Sequence, residues 1–251
     1  MELYNKLIDE TNKLLQGKKS ISWDYNPSDA WPDNGSAELV LRSDSAFELG
    51  ADGLGSANYI LHTTNPDYVN KDETIIYGPD LTKLRSDTPF ARIVLIRVGV
   101  LDDDDEVVYR TLKDIEFCKY HVYPVGYMVR MSPESFREQV RISKDAVKRH
   151  ISFKAVGASY IKKYKENANV LNVKVIFVTD PSIDYNALTV TANMADKITS
   201  TLTHILEGIP TDCSVCQLKD VCDEVEGMKE LHFGAAAKQA ARKNNTEASR
   251  S

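Results

Sequence analysis

Apolar residues Leu3, Leu7, Ile8, Leu14 and Leu15 recur near helical spacing over 2–15, and Gly17 follows, which predicts an amphipathic N-terminal helix. The stretch 20–36 is crowded with turn formers around Trp23, Pro27, Trp31, Pro32 and Gly35; it reads as a loop whose two tryptophans anchor packing. Short strand signals at Ala37–Leu41, Asn58–His62 and Thr74–Tyr77, each bounded by Gly, Pro, Asn or Asp, predict strands, with Gly50, Gly53 and Gly55 as turn glycines between the first two. Ala91–Val100 is the strongest strand pattern, rich in β-branched residues and buried on at least one face. An acidic turn leads into a helix from Asp105 to about Phe117, where Val108, Leu112 and Ile115 share a face. Strand patterns follow at Tyr127–Met131 and Glu138–Ser143, then a short helix Asp145–Arg149 capped by Ser143 and a second helix Phe153–Tyr164. Val170–Thr179 is a buried strand closed by Asp180-Pro181, and 184–207, free of Gly and Pro, is a long helix stopped by Gly208 and Pro210.

These elements predict a mixed α/β (α+β) fold: a central mixed sheet flanked by helices, followed by a cysteine-rich cluster-binding unit and a tail. The expected divisions are an α/β domain over 1–208, a metal-binding segment over 209–234 and a flexible tail over 235–251, rich in Ala, Lys and Ser. Composition narrows the function classes. The formal net charge of −6 argues against general nucleic-acid binding, and no apolar run approaches the ~18 residues a spanning helix needs. The N-terminal segment lacks the apolar run of a secretory signal, so a cytoplasmic protein is expected. Charge is uneven: between Arg130 and Lys165 stand ten Lys or Arg against three acidic residues, either a solvated face or a surface for a phosphorylated ligand or acidic partner. The run Asp102–Glu106 lacks the glycine and distal glutamate of a calcium loop and reads as an exposed turn. His62, His150 and His204 have no partner at ligand spacing and read as ordinary residues.

Candidate chemistry gathers near the C-terminus. Cys213, Cys216 and Cys222 form a C-x2-C-x5-C cluster in a chain with four cysteines in all. Four clustered thiols are too few for a disulfide framework. Soft thiolates at this spacing suit an iron–sulfur cluster or zinc, and they supply three ligands. The fourth is left among His232, Cys118 and a ligand from outside the chain. An unbroken helix over 220–231 would separate Cys222 and His232 by about 15 Å along its axis, so ligation by His232 needs a bend, for which Gly227 is the place. Cys118, three residues before His121, reads equally as a buried small hydrophobe at a helix end.

The segments Ala46-Phe47-Glu48-Leu49, Tyr77-Gly78-Pro79-Asp80-Leu81, Arg141-Ile142-Ser143-Lys144-Asp145-Ala146-Val147 and Val173–Asp180 occur in the order found in one family. Together, over roughly 40–235, they resemble the middle domain of the beta subunit of CO dehydrogenase/acetyl-CoA synthase. The resemblance implies a place in anaerobic one-carbon metabolism and a 4Fe-4S cluster at Cys213, Cys216 and Cys222, with His232 at the position of the family's fourth ligand. In that family the first three ligands are more widely spaced. It also implies, through Arg141 and neighbouring Lys144, a contact with CoA. The family's Cys-Gly-Cys motif for the distal nickel is absent from the sequence, so neither a nickel site nor acetyl-CoA synthase activity is expected. In the segment before Arg141, Arg130-Met131-Ser132-Pro133-Glu134 replaces the family's tryptophan and Gly-Gln-Arg run.

Three functions remain in view. The first is an iron–sulfur accessory, docking or electron-transfer protein with a protein partner in a one-carbon or redox pathway. The second is a CoA- or acyl-handling enzyme using an open cluster site and the basic region at Arg130, Arg137, Arg141 and Lys144. The third is a structural protein stapled by zinc.

Overall fold

The computed structural model describes residues 2–99, 105–132, 134–206, 216, 218, 219 and 221. The chain forms two compact units, one from 1–101 with 112–195 and one from 102–111 with 196–251. The first holds two sheets. A mixed five-stranded sheet has strands β1 (Ser20–Asp24), β3 (Ser56–Thr63), β4 (Glu73–Tyr77), β5 (Phe90–Val98) and β8 (Val170–Val178), in the order β1-β4-β8-β5-β3. A three-stranded antiparallel sheet has β2 (Ser45–Leu49), β6 (Tyr127–Ser132) and β7 (Arg137–Ser143), in the order β2-β7-β6. The helices are α1 (Glu2–Leu15), α2 (Asp105–Phe117), α3 (Lys144–Lys148), α4 (Phe153–Tyr164) and α5 (Tyr185–Leu206). The expected mixed α/β architecture with a central mixed sheet is the architecture observed.

Strand β5 is buried almost throughout and β8 along its second half, and the two pair antiparallel at the centre of the large sheet, which is why they carry the chain's densest β-branched runs. One face of this sheet, including Phe90, Val94, Ile96, Val175 and Phe177, shares a core with Val156, Tyr160 and Tyr164 of α4 and with Phe47, Val140 and Ile142 of the small sheet. Helix α1 lies on β3, where the Thr11 and Tyr59 hydroxyls are 3.0 Å apart. At the start of α5, the Tyr185 hydroxyl donates to the carbonyl of Val178 at 3.3 Å. Helix α4 approaches β4 at Gly157, where a Cβ would come within 2.2 Å of the Thr74 hydroxyl. No larger residue fits there without displacing the helix.

Two local expectations are corrected. Strand β1 occupies part of the stretch read as a loop; Ile21 and Trp23 alternate with Ser20, Ser22 and Asp24, a short and mostly exposed run beside the turn formers that follow it, held by its backbone pairing with β4 and by Trp23 against the core. The run Ala37–Leu41 forms no strand, and Leu39 and Leu41 are 73% and 52% exposed. Its apolar run found no strand to pair with, because the edge of β7 opposite β6 pairs instead with 45–49. A pattern proposes a strand, but only a paired backbone makes one.

Among the described residues of the second unit, Thr201 and Val221 are buried, and the backbone N–H of Lys219 donates to the carbonyl of Cys216 at 3.3 Å. No helix among the described residues is long and apolar enough to cross a membrane.

Candidate functional site

Of the four residues expected at the metal site, Cys213, Cys222 and His232 lie outside the described residues. Cys216 is a free, half-buried thiol. The donor set is chemically apt for iron–sulfur or zinc, because thiolates are the ligands both prefer. Cys118 sits in a 3-10 turn that continues α2, half-buried, its thiol 3.4 Å from the carbonyl of Asp114. Burial pushes this thiol upward, which holds it protonated and makes it a poorer nucleophile at neutral pH.

The basic region is largely committed to internal partners. Arg141 projects from the outer face of β7, where its Nε donates to Glu48 Oε1 at 2.5 Å on the neighbouring β2. Lys144 donates to the carbonyl of Ser43 at 2.7 Å. Arg137 spans the glycine-rich turn, donating to the carbonyls of Gly50, Ala51 and Leu54 at 3.0 to 3.1 Å. Lys154, Lys163 and Lys165 pair with Asp29, Glu166 and Asp72. Arg130 is exposed. The run of positive charge is therefore distributed over separate joints.

The segments that carry the family resemblance touch one another. Glu48 of the Ala-Phe-Glu-Leu segment is the partner of Arg141 in the Arg-Ile-Ser-Lys segment. Ser143 of that second segment caps α3, its Oγ accepting from the backbone N–H of Ala146 at 3.0 Å. The Gly-Pro-Asp segment lies against the end of β8: Tyr77 O accepts from the N–H groups of Thr179 and Asp180 at 2.8 and 3.1 Å, and the Thr179 hydroxyl donates to Pro79 O at 2.8 Å. Gly78 has φ +108°, and a Cβ there would lie 2.5 Å from the N of Asp180, so the close approach requires glycine. One carboxylate oxygen of Asp80 accepts from Leu81 N at 2.7 Å and from Phe153 N, at the start of α4, at 2.8 Å. Burial raises the Asp80 carboxyl, and those two N–H groups oppose the rise. These motif residues act as fastenings between elements.

A cleft of about 520 Å³ runs beside α4, lined among others by Trp31, Asp33, His121, Tyr123, Ser159 and Lys163. Most of its polar groups are engaged: Asp33 accepts from Gly35 N and Tyr123 N, the Trp31 ring N–H donates to Val125 O, and Lys163 pairs with Glu166.

A buried polar cluster between the sheets was missed from sequence. Arg92 of β5 and Glu138 of β7 are both fully buried; Arg92 Nε donates to both carboxylate oxygens at 3.0 Å and Nη2 to Oε2 at 2.6 Å. Asn58 Nδ2, from β3, donates to the same Oε2 at 2.6 Å, and the guanidinium stacks over the Tyr160 ring at 4.2 Å. The paired charge holds Arg92 protonated against the effect of burial. The signal was present: an arginine interrupts the strand Phe90–Val98, and Glu138 falls in the apolar phase of β7 with Val140 and Ile142. On the edge strand β3, His62 is also fully buried, with Glu116 Oε1 3.7 Å from its Nε2.

Compared with protein-family models and with curated proteins, the chain matches none.

Proposed function

We propose that this protein is an iron–sulfur-binding accessory protein related to the beta subunit of CO dehydrogenase/acetyl-CoA synthase, serving as a docking or electron-transfer partner in anaerobic one-carbon metabolism. The observation that carries the reading is the C-x2-C-x5-C spacing of Cys213, Cys216 and Cys222. Four family-like segments in family order support it. A cluster held there would accept and release single electrons, with the α/β unit offering the surface on which a partner docks.

The test is anaerobic purification followed by iron, sulfide and zinc analysis with absorption and EPR spectra. Iron with acid-labile sulfide near four atoms each per chain is expected, and it should fall sharply in Cys213→Ala and Cys216→Ala. Stoichiometric zinc without sulfide refutes the reading and favours a zinc staple. Separate His232→Ala and Cys118→Ala variants locate the fourth ligand by which one lowers cluster content. Titration with CoA addresses the enzyme alternative, and saturable binding weakened by Arg141→Ala would revive it.

A further inference from the structure

Five buried polar groups between the two sheets have no hydrogen-bond partner among the described residues: Arg92 Nη1, Asn58 Oδ1 and the hydroxyls of Tyr127, Tyr160 and Tyr164. All five residues belong to the first unit, and four are at most 3% exposed, with Asn58 part-buried. They gather around Arg92, whose charge acts on all three tyrosine hydroxyls. Asn58 and Arg92 are cross-strand neighbours on β3 and β5, and Tyr127 lies on the same strand face as Met131, which pairs with Glu138. Tyr160 and Tyr164 are one turn apart on α4, and the Arg92 guanidinium rests on the Tyr160 ring. Burial raises all three phenols and outweighs the opposing effect of the nearby Arg92 charge, so all three remain neutral hydroxyls.

The donor and acceptor inventory identifies the guest. Arg92 Nη1 offers only N–H donors, so the guest must accept. Asn58 Oδ1 offers only an acceptor, so the guest must also donate. The Glu138 carboxylate is already supplied by Arg92 and Asn58 and balances the arginine charge, so an anion would leave an uncompensated charge in the core. A neutral molecule able to do both fits. We propose that Arg92, Asn58, Tyr127, Tyr160 and Tyr164 form an internal hydration site, in which ordered waters complete the polar contact between the sheets. This inference is independent of the cysteine cluster and its proposed role.

A high-resolution crystal structure of the full chain tests it directly. Ordered waters are expected within hydrogen-bond distance of Arg92 Nη1, Asn58 Oδ1 and at least one tyrosine hydroxyl. Direct bonds among these side chains with no water between them would overturn the proposal, as would a bromide peak at the site in crystals soaked with sodium bromide. A solution measurement gives a second reading. Tyr160→Phe and Tyr127→Phe should each lower Tm by about 2–4 °C, because removing a hydroxyl strips a water of a partner. An unchanged or higher Tm in both variants counts against it, since a dry, unpaired hydroxyl is better deleted.

Discussion

Strand β7 carries two Arg–Glu pairs, one on each face. Inward, Glu138 meets Arg92 with both side chains at 0% exposure. Outward, three residues along, Arg141 meets Glu48 at 19% and 13% exposure. The chemical groups are the same and the distances similar, yet the physics differs. The inner pair has lost its water on both sides, so each charge depends on the other and on Asn58 Nδ2. The outer pair keeps access to solvent, so either charge can be rehydrated when its partner leaves. Alternation along one strand thus separates a pair that the fold requires from a pair that fastens two neighbouring strands.

The sharpest way to break the comparison is to remove one inner partner. Glu138→Ala should cost about 3–5 kcal/mol by leaving Arg92 charged and unpaired in the core, read as a lower urea midpoint or as loss of soluble protein. A double replacement, Arg92→Met with Glu138→Leu, should recover much of that loss, because apolar residues of similar size need no partner. If the double variant is as unstable as the single one, the cost lies in packing rather than in the stranded charge.

Next in size is the approach of α4 to β4. Gly157→Ala places a methyl group within 2.2 Å of Thr74 and should cost about 1–3 kcal/mol, checked by denaturant melts. In the same variant, Thr74→Ser, which trims the facing side chain, should return part of the loss.

Asp80 is an intermediate case, a largely buried carboxylate with no ion-pair partner among the described residues, satisfied by two backbone N–H groups. Asp80→Ala should cost about 1 kcal/mol by freeing both donors. Because burial raises the folded-state pKa, the folded protein binds this proton more tightly than the unfolded chain does. The group therefore works against stability as pH rises from the ordinary carboxylate range through its raised value. Asp80→Asn keeps the acceptor without the charge, so stability at pH 7 should hold or rise, and the variant's melts should vary less between pH 4 and 7.

The two pairs also show what a sequence can and cannot disclose. Elements whose burial follows a simple period were legible: α1, α2 and α4 begin and end where the apolar spacing and capping residues place them. Strand β1 was not, because its alternation of Ile21 and Trp23 with polar residues is only five residues long, is mostly exposed and runs into a stretch of turn formers, while its partner β4 lies some fifty residues away. The same limit applies to the site. The cysteine cluster is visible because its ligands are close in sequence, whereas Arg92 and Glu138 are 46 residues apart and meet only when the sheets pack. Arg141 was visible as a charge, but its partner Glu48, 93 residues away, was not. A cationic run looked like one face until most of its side chains were seen with partners of their own.

The smallest effect belongs to the outer pair. Glu48→Ala should cost about 1 kcal/mol or less, since the freed Arg141 can turn to water and keeps a long contact of 3.5 Å with Val40 O. Two observations would separate it from the inner pair. Raising salt to about 1 M should shrink the loss, because exposed charges are screened over a few ångströms while buried ones are not. A double-mutant cycle with Arg141→Ala should return a coupling below about 1 kcal/mol. A coupling as large as that of the inner pair would mean that the edge formed by β2 and β7 is drier than its exposure implies, and that strand phase alone does not decide which ion pair the fold depends on.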